Sequence, residues 1–139
     1  MTTDKNVRVV IDSNVWISGL IFGGQPEKII RLFLEGHIAV VVSAELLSEL
    51  RRKIIEKFPL FIPKLNLLEA SILNDAMTVK LGSLSINISR DLDDNKVIET
   101  AAIGHCDYII SGDKDLLVIS SYKNISIVNP ADFLKNYQS

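Results

Sequence analysis

The sequence predicts an α/β domain in which an open, largely parallel sheet of about five strands carries helices on both faces. Three observations lead there. Short apolar, mostly β-branched runs recur at 7–11, 38–42, 108–110 and 125–128, and stretches with helical apolar spacing lie between them. The runs at 38–42 and 108–110 are apolar throughout rather than alternating, as strands buried on both faces are. No repeat, low-complexity tract or linker divides the 139 residues, so they read as one domain, 1–139.

The elements follow in order. Val7, Val9, Val10 and Ile11 suit a buried strand that stops at Asp12. Gly19, Gly23 and Gly24 then loosen the chain. A helix is expected over 26–35, with Pro26 in its first turn, Ile29, Ile30, Phe33 and Leu34 inward, and Gly36 ending it. After the strand at 38–42, Ser43 can cap a helix whose inner face is Leu47, Leu50, Ile54 and Phe58, and Pro59 ends that pattern. A further helix is expected over 64–80, burying Leu68, Ile72, Leu73, Ala76 and Val79. The alternation over 84–88 suits a strand with one wetter side. Asp93 or Asp94 opens a helix that buries Val97, Ile98, Ala101 and Ala102. The strand at 108–110 is followed by a short helix over 116–119, capped by Asp115. A strand at 125–128 and a helix over 130–136 close the chain.

A net charge of −2 argues against a binder that works by bulk neutralisation of phosphates. A nuclease that holds phosphates through bound metal stays open. Cys106 is the single cysteine, so no intrachain disulfide forms. The first eight residues carry no signal-peptide apolar region, and no apolar run is long enough to cross a bilayer. The expectation is a cytoplasmic protein with no membrane segment.

In open α/β sheets ligands bind outside the carboxyl ends of the strands. Asp12 lies at that edge, Asp113 follows the strand at 108–110, and Asp91, Asp93 and Asp94 stand at the entrance of the preceding helix. Glu49 lies on the flank of a buried helical stripe. Each has an ordinary explanation. Asp93 or Asp94 could cap a helix, Asp113 could be a turn residue, and Glu49 could pair with Lys53 one turn on. Asp12 is harder to dismiss, because an unpaired charge at the end of a buried strand is costly. Several acids at one edge repel one another unless a cation sits between them, and a hard divalent ion fits an all-carboxylate set. His37 and His105 are the two histidines, which argues against a His-rich zinc site. No nucleophilic triad or phosphate-binding glycine loop is present.

Four segments in order, VVIDSNVWISGLIFGG, VVSAELLSELRRKI, RDLDDNKVIETA and DYIISGDKDLL, resemble the PIN-domain family. The likeness is specifically to its VapC-like branch, the toxin ribonucleases of toxin–antitoxin pairs. The resemblance implies a three-layer α/β/α sandwich and an endoribonuclease using Mg²⁺ or Mn²⁺, as one or two ions, held by Asp12, Glu49, Asp94 and Asp113. It assigns supporting roles to Asn14 and Ser111, the latter a hydroxyl where many relatives have threonine. Asp91 and Asp93 are the alternatives to Asp94 as third acid, and Asp115 is a near miss for the fourth. It further implies an RNA substrate, an antitoxin protein partner and a homodimer. Arg51, Lys96 and Lys114 are candidate RNA contacts. Trp16 and its apolar neighbours read as core, or as a partner contact if exposed.

Two other classes compete. An aspartate-based phosphatase or phosphotransfer domain needs a lysine beyond the last strand, where this chain has Asn129 and Pro130, and a second acid two residues after its nucleophile, where Asn14 stands. A catalytically silent RNA- or protein-binding module has no physical need for four clustered acids.

Overall fold

The computed structural model describes residues 6–84, 86–88 and 91–138. Its strands are β1 (Arg8–Ile11), β2 (Ala39–Ser43), β3 (Met77–Val79), β4 (Tyr108–Ile110), β5 (Ser121–Tyr122) and β6 (Ile125–Val128). Its helices are α1 (Ser13–Ile21), α2 (Gly24–Leu34), α3 (Ala44–Lys57), α4 (Ile62–Asp75), α5 (Leu92–Ile103), α6 (Lys114–Ile119) and α7 (Pro130–Gln138). The strands form one sheet in the order β3-β2-β1-β4-β6-β5, parallel except for the β5–β6 pair.

Alternation along the central strands feeds two cores. Val9 and Ile11 face one side with Val40, Val42 and Ile110, where α1, α2, α3, α4 and α7 contribute Trp16, Phe33, Ile54, Ile72 and Phe133. Val10, Val41, Ile109 and Ile127 face the other, against Val97, Ile98 and Ala101 of α5 and Leu116 of α6. The architecture is therefore the expected α/β/α sandwich, with six strands among the described residues where about five were expected.

The main departures have physical causes. The segment after Asp12 is not loosened chain but α1. Val15, Trp16, Ile17, Gly19 and Leu20 are all buried, so the helix lacks the one-sided pattern that marks a surface helix. Trp16 meets Phe33 edge-on at 6.1 Å. Leu20 is also core, whereas Phe22 is exposed. The helix expected over 64–80 ends at Asp75, where Ala76 turns extended and Met77–Val79 pairs with β2. Leu65 joins Leu68 and Ile72 on its buried face, while Leu73 is solvent-facing. The strand expected over 84–88 includes residue 85, outside the described residues; Leu84 and residues 86–88 are loop. Glu99 of α5 ties this loop down, accepting from the backbone N–H groups of Gly82 (2.8 Å) and Leu84 (3.3 Å). Among the described residues no helix is long and apolar enough to cross a membrane.

Gly19 is a packing glycine. A Cβ there would lie 2.5 Å from Ile30 Cδ1 and 3.0 Å from the Glu27 backbone nitrogen. Gly19→Ala is expected to destabilise the protein by about 1–3 kcal/mol, although alanine is the better helix former. Urea denaturation measures this, and an unchanged midpoint would mean that α1 and α2 separate without cost.

Cys106 is buried, and burial, aided by the neighbouring Asp107 charge, pushes its thiol from the ordinary 9.0 up to about 12. A thiol that keeps its proton is a poor nucleophile. Native protein at pH 8 should therefore resist disulfide-exchange reagents and react only in denaturant. Because the unfolded thiol ionises first, stability should fall as pH rises through that window.

Candidate active site

The strand order reverses between β1 and β4: β2 and β3 lie beyond one, β6 and β5 beyond the other. The crevice outside the carboxyl ends of β1 and β4 is the switch point where open α/β sheets bind ligands. Asp12 leaves β1 there and caps α1, with backbone torsions of φ −64° and ψ 148°. Its Oδ1 accepts from the Ser13 N–H at 2.8 Å and its Oδ2 from the Ser111 hydroxyl at 2.7 Å. Ser111, fully buried, also accepts from the Asp113 N–H at 3.0 Å. One hydroxyl thus joins the ends of the two central strands.

Asp12, Asn14, Glu49, Lys53, Asp91, Asp93, Asp94, Val97 and Asp113 line a cleft of about 60 Å³ at this edge. The four acids expected from the sequence thus face one cleft, but they do not form one tight set. Carboxylate oxygens of Asp91, Asp94 and Asp113 lie within 4.8 Å of one another. Asp12 and Glu49 stand outside that trio. Asp94 is buried in the first turn of α5. Asp93 is exposed and lies 3.7 Å from Lys96. Asp91, not Asp93 or Asp94, caps α5 by accepting from the Asp93 N–H at 2.9 Å. Asp113, not Asp115, caps α6, accepting from the Asp115 N–H at 2.8 Å. In both cases the first acid of a short acidic run takes the extended backbone that a cap requires.

Glu49 belongs to a separate polar group. Its Oε2 accepts from the Ser13 hydroxyl at 2.6 Å and lies 3.4 Å from Lys53 Nζ, so the pairing one helical turn on does form. Lys53 also donates to Ser13 Oγ at 3.0 Å and to Asn14 Oδ1 at 3.3 Å. The roles of Ser13 and Lys53 were not apparent in the sequence. A helix in place of a loop after Asp12 is what brings Ser13 against α3.

Burial raises the Asp12 carboxyl above its ordinary value. The Ser111 hydrogen bond, the Lys53 charge and the Ser13 N–H pull it down, while Glu49 pushes it further up. The buried carboxyl thus ionises less readily than a free one, because its neighbours do not make up for the lost hydration.

A larger groove of about 610 Å³ adjoins the cleft, sharing Glu49 and Asp93 and lined also by Ala44, Glu45, Ser48, Arg52 and Lys96. Lys114 is exposed at the start of α6. Arg51 is held on α4 by Glu69 at 2.6 Å and Asn66 at 3.0 Å, and is not among the residues lining the cleft or the groove. His37 pairs with Glu35, and His105 lies at the opposite end of the sheet beside Arg8 and Asp107.

A donor set of oxygens alone suits a hard cation. Oxygens within 4.8 Å of one another are close to what one ion with bonds of about 2.0–2.6 Å gathers after small side-chain adjustments. Asp91, Asp94 and Asp113 therefore fit such an ion, with Asp12 on the adjoining wall.

The family model described as PIN domain matches residues 8–115. An uncharacterized protein of Methanocaldococcus jannaschii is 31% identical over 144 residues, covering 95% of this chain and 92% of its own length. Among solved structures, VapBC2 from Rickettsia felis, bound to a DNA fragment from its promoter, contains a chain that aligns with a TM-score of 0.55 at 10% identity. That alignment covers 88% of this chain and 98% of the other. At that identity the likeness concerns the fold.

Proposed function

Because the chain belongs to the PIN-domain family, we propose that it is a metal-dependent endoribonuclease that hydrolyses RNA phosphodiesters at the acid cleft. The observation that carries this reading is the convergence of Asp12, Glu49, Asp91, Asp94 and Asp113 on one cleft at the switch point of the sheet. Asp94, Asp113 and Asp12, with Asp91, would hold Mg²⁺ or Mn²⁺. When bound, the ion would supply Lewis acidity, activating water and neutralising charge on the phosphodiester.

The chain's own residues do the positioning. Ser111 fixes the Asp12 carboxylate and the loop that carries Asp113, so the two strand ends keep one spacing. The Ser13 N–H holds the other Asp12 oxygen and prevents the side chain from rotating away. Asp91 and Asp113 are anchored as helix caps. Such fixed donors and acceptors limit reorganisation when charge develops. Lys96, beside the cleft in the larger groove, and Lys114, next to Asp113, would meet phosphates flanking the scissile bond.

In the cell we assign it the role of toxin in a toxin–antitoxin pair, working as a homodimer in the cytoplasm and held in check by an antitoxin protein. The Rickettsia complex, whose fold this chain shares, supports that assignment. The test is incubation of pure protein with a mixed-structure RNA, with and without Mn²⁺ or Mg²⁺. Cutting only in the presence of metal is expected. Failure of well-folded, metal-loaded protein to cut several RNAs would favour a silent binding module.

A further inference from the structure

Six carboxylates line the cleft, those of Asp12, Glu49, Asp91, Asp93, Asp94 and Asp113, and among the described residues Lys53 is the basic side chain that lines it. Lys53 is not a solvated helix lysine. Its side chain is 24% exposed, and its ammonium meets three different oxygens: the Ser13 hydroxyl at 3.0 Å, Asn14 Oδ1 at 3.3 Å and Glu49 Oε2 at 3.4 Å. Two of these contacts are hydrogen bonds and the third is an ion pair, so the ammonium, which has three donors and no acceptor, is committed to this group. Glu49 is further committed by the Ser13 hydroxyl at 2.6 Å. The cleft is thus divided. On one side carboxylate oxygens of Asp91, Asp94 and Asp113 lie within 4.8 Å of one another; on the other the Lys53 ammonium stands beside Glu49.

We propose that Lys53 is a resident cation standing where a second metal ion would otherwise be needed. On this view the cleft binds one divalent ion, on the Asp91, Asp94 and Asp113 side, and Glu49 is the counter-ion of Lys53 rather than a metal ligand. The proposal rests on the nuclease reading and specifies the ion count of its site. A second divalent ion at Glu49 would have to displace the ammonium from its three acceptors and then tolerate its charge nearby, and neither is favourable in a half-buried cleft. Lys53 is in this sense a positioning residue: it fixes Glu49, Asn14 and Ser13, and through the Ser13 backbone it keeps Asp12 in place.

The ion count can be read without substrate. Mn²⁺ alone is titrated into the full chain, with bound ions counted by electron paramagnetic resonance and affinity measured by calorimetry. Wild type is expected to bind one Mn²⁺. Lys53→Met, which keeps the stem and removes the charge, is expected to bind a second, whereas Lys53→Arg keeps the count at one. Glu49→Gln should leave affinity for the first ion within about threefold, while Asp94→Asn should lose it by on the order of 100-fold. Two ions on wild type, an unchanged count in Lys53→Met, or equal losses in Glu49→Gln and Asp94→Asn would each overturn the proposal while leaving a metal-dependent nuclease intact. No Mn²⁺ binding by folded wild type would overturn both. Glu49→Gln decides the matter alone if Lys53→Met does not fold.

Discussion

Asp94→Asn is expected to lower metal-dependent RNA cleavage by on the order of 100-fold to 1000-fold while leaving the circular dichroism spectrum unchanged. Asp94 is buried and shares a common point with Asp91 and Asp113. Asparagine keeps its shape and removes the charge that balances the ion. The control is one residue away. Asp93 is exposed and lies 3.7 Å from Lys96, a surface pairing of small energetic weight, so Asp93→Asn should change the rate by no more than about twofold. Steady-state cleavage of one labelled RNA measures both. Equal losses at the two positions would show that the third acid has been misassigned. Loss at Asp93 alone would move the metal site outward along α5.

Asp12→Asn should produce two effects of opposite sign. Burial raises the folded carboxyl above its ordinary value of 3.8. The unfolded chain therefore ionises first, and metal-free stability falls as pH rises from that value through the raised one. The asparagine variant escapes this loss. At neutral pH its metal-free melting temperature should exceed that of wild type. At pH 3, where the wild-type carboxyl is largely protonated in both the folded and the unfolded chain, this advantage should vanish. Saturating Mn²⁺ should reverse the order, since a ligand at 100 times its dissociation constant adds about 2.7 kcal/mol to a protein that binds it, and the variant has lost that wall of the site. Differential scanning fluorimetry over pH, with and without Mn²⁺, resolves both effects. A variant less stable than wild type when metal-free would show that the Ser111 and Lys53 interactions outweigh burial.

What could be read in advance was whatever rests on local pattern. The runs that became β1, β2 and β4 declare themselves because burial on both faces demands apolar residues, and β6 because its apolar positions alternate with exposed ones. Asp12 and Asp113 could be placed at the carboxyl edge because each follows a strand, whereas Glu49 and Asp94 are singled out by the family resemblance, the residues alone leaving Asp91, Asp93 and Asp94 open. The rest depends on neighbours distant in sequence. In α1, burial on nearly every side erased the periodicity, and Gly19, which reads as a break, is a contact point for α2. In β3, Met77 and Thr78 are exposed, so an edge strand carries no apolar signature and the helical pattern before it runs on. The caps at Asp91 and Asp113 are decided by backbone torsion within acidic runs, which composition does not reveal. Lys53 follows the same logic. Its spacing from Glu49 describes an ordinary helix-surface pair, and only the packing of α1 against α3 turns that pair inward.

The hydrogen bond from Ser111 to Asp12 spans 99 positions of sequence, and that span governs when activity can begin during synthesis. A nascent chain that has emerged through α4 already holds β1, β2 and Glu49, yet lacks Asp91, Asp94, Ser111 and Asp113. Domains fold as their chain becomes available, so the carboxylate cluster cannot close before β4 has been made and has docked beside β1. Truncated products that stop short of β4 would carry half of the cleft and no means of completing it. On the nuclease reading, the cleft would therefore be unable to cut RNA until the chain through Asp113 had been delivered.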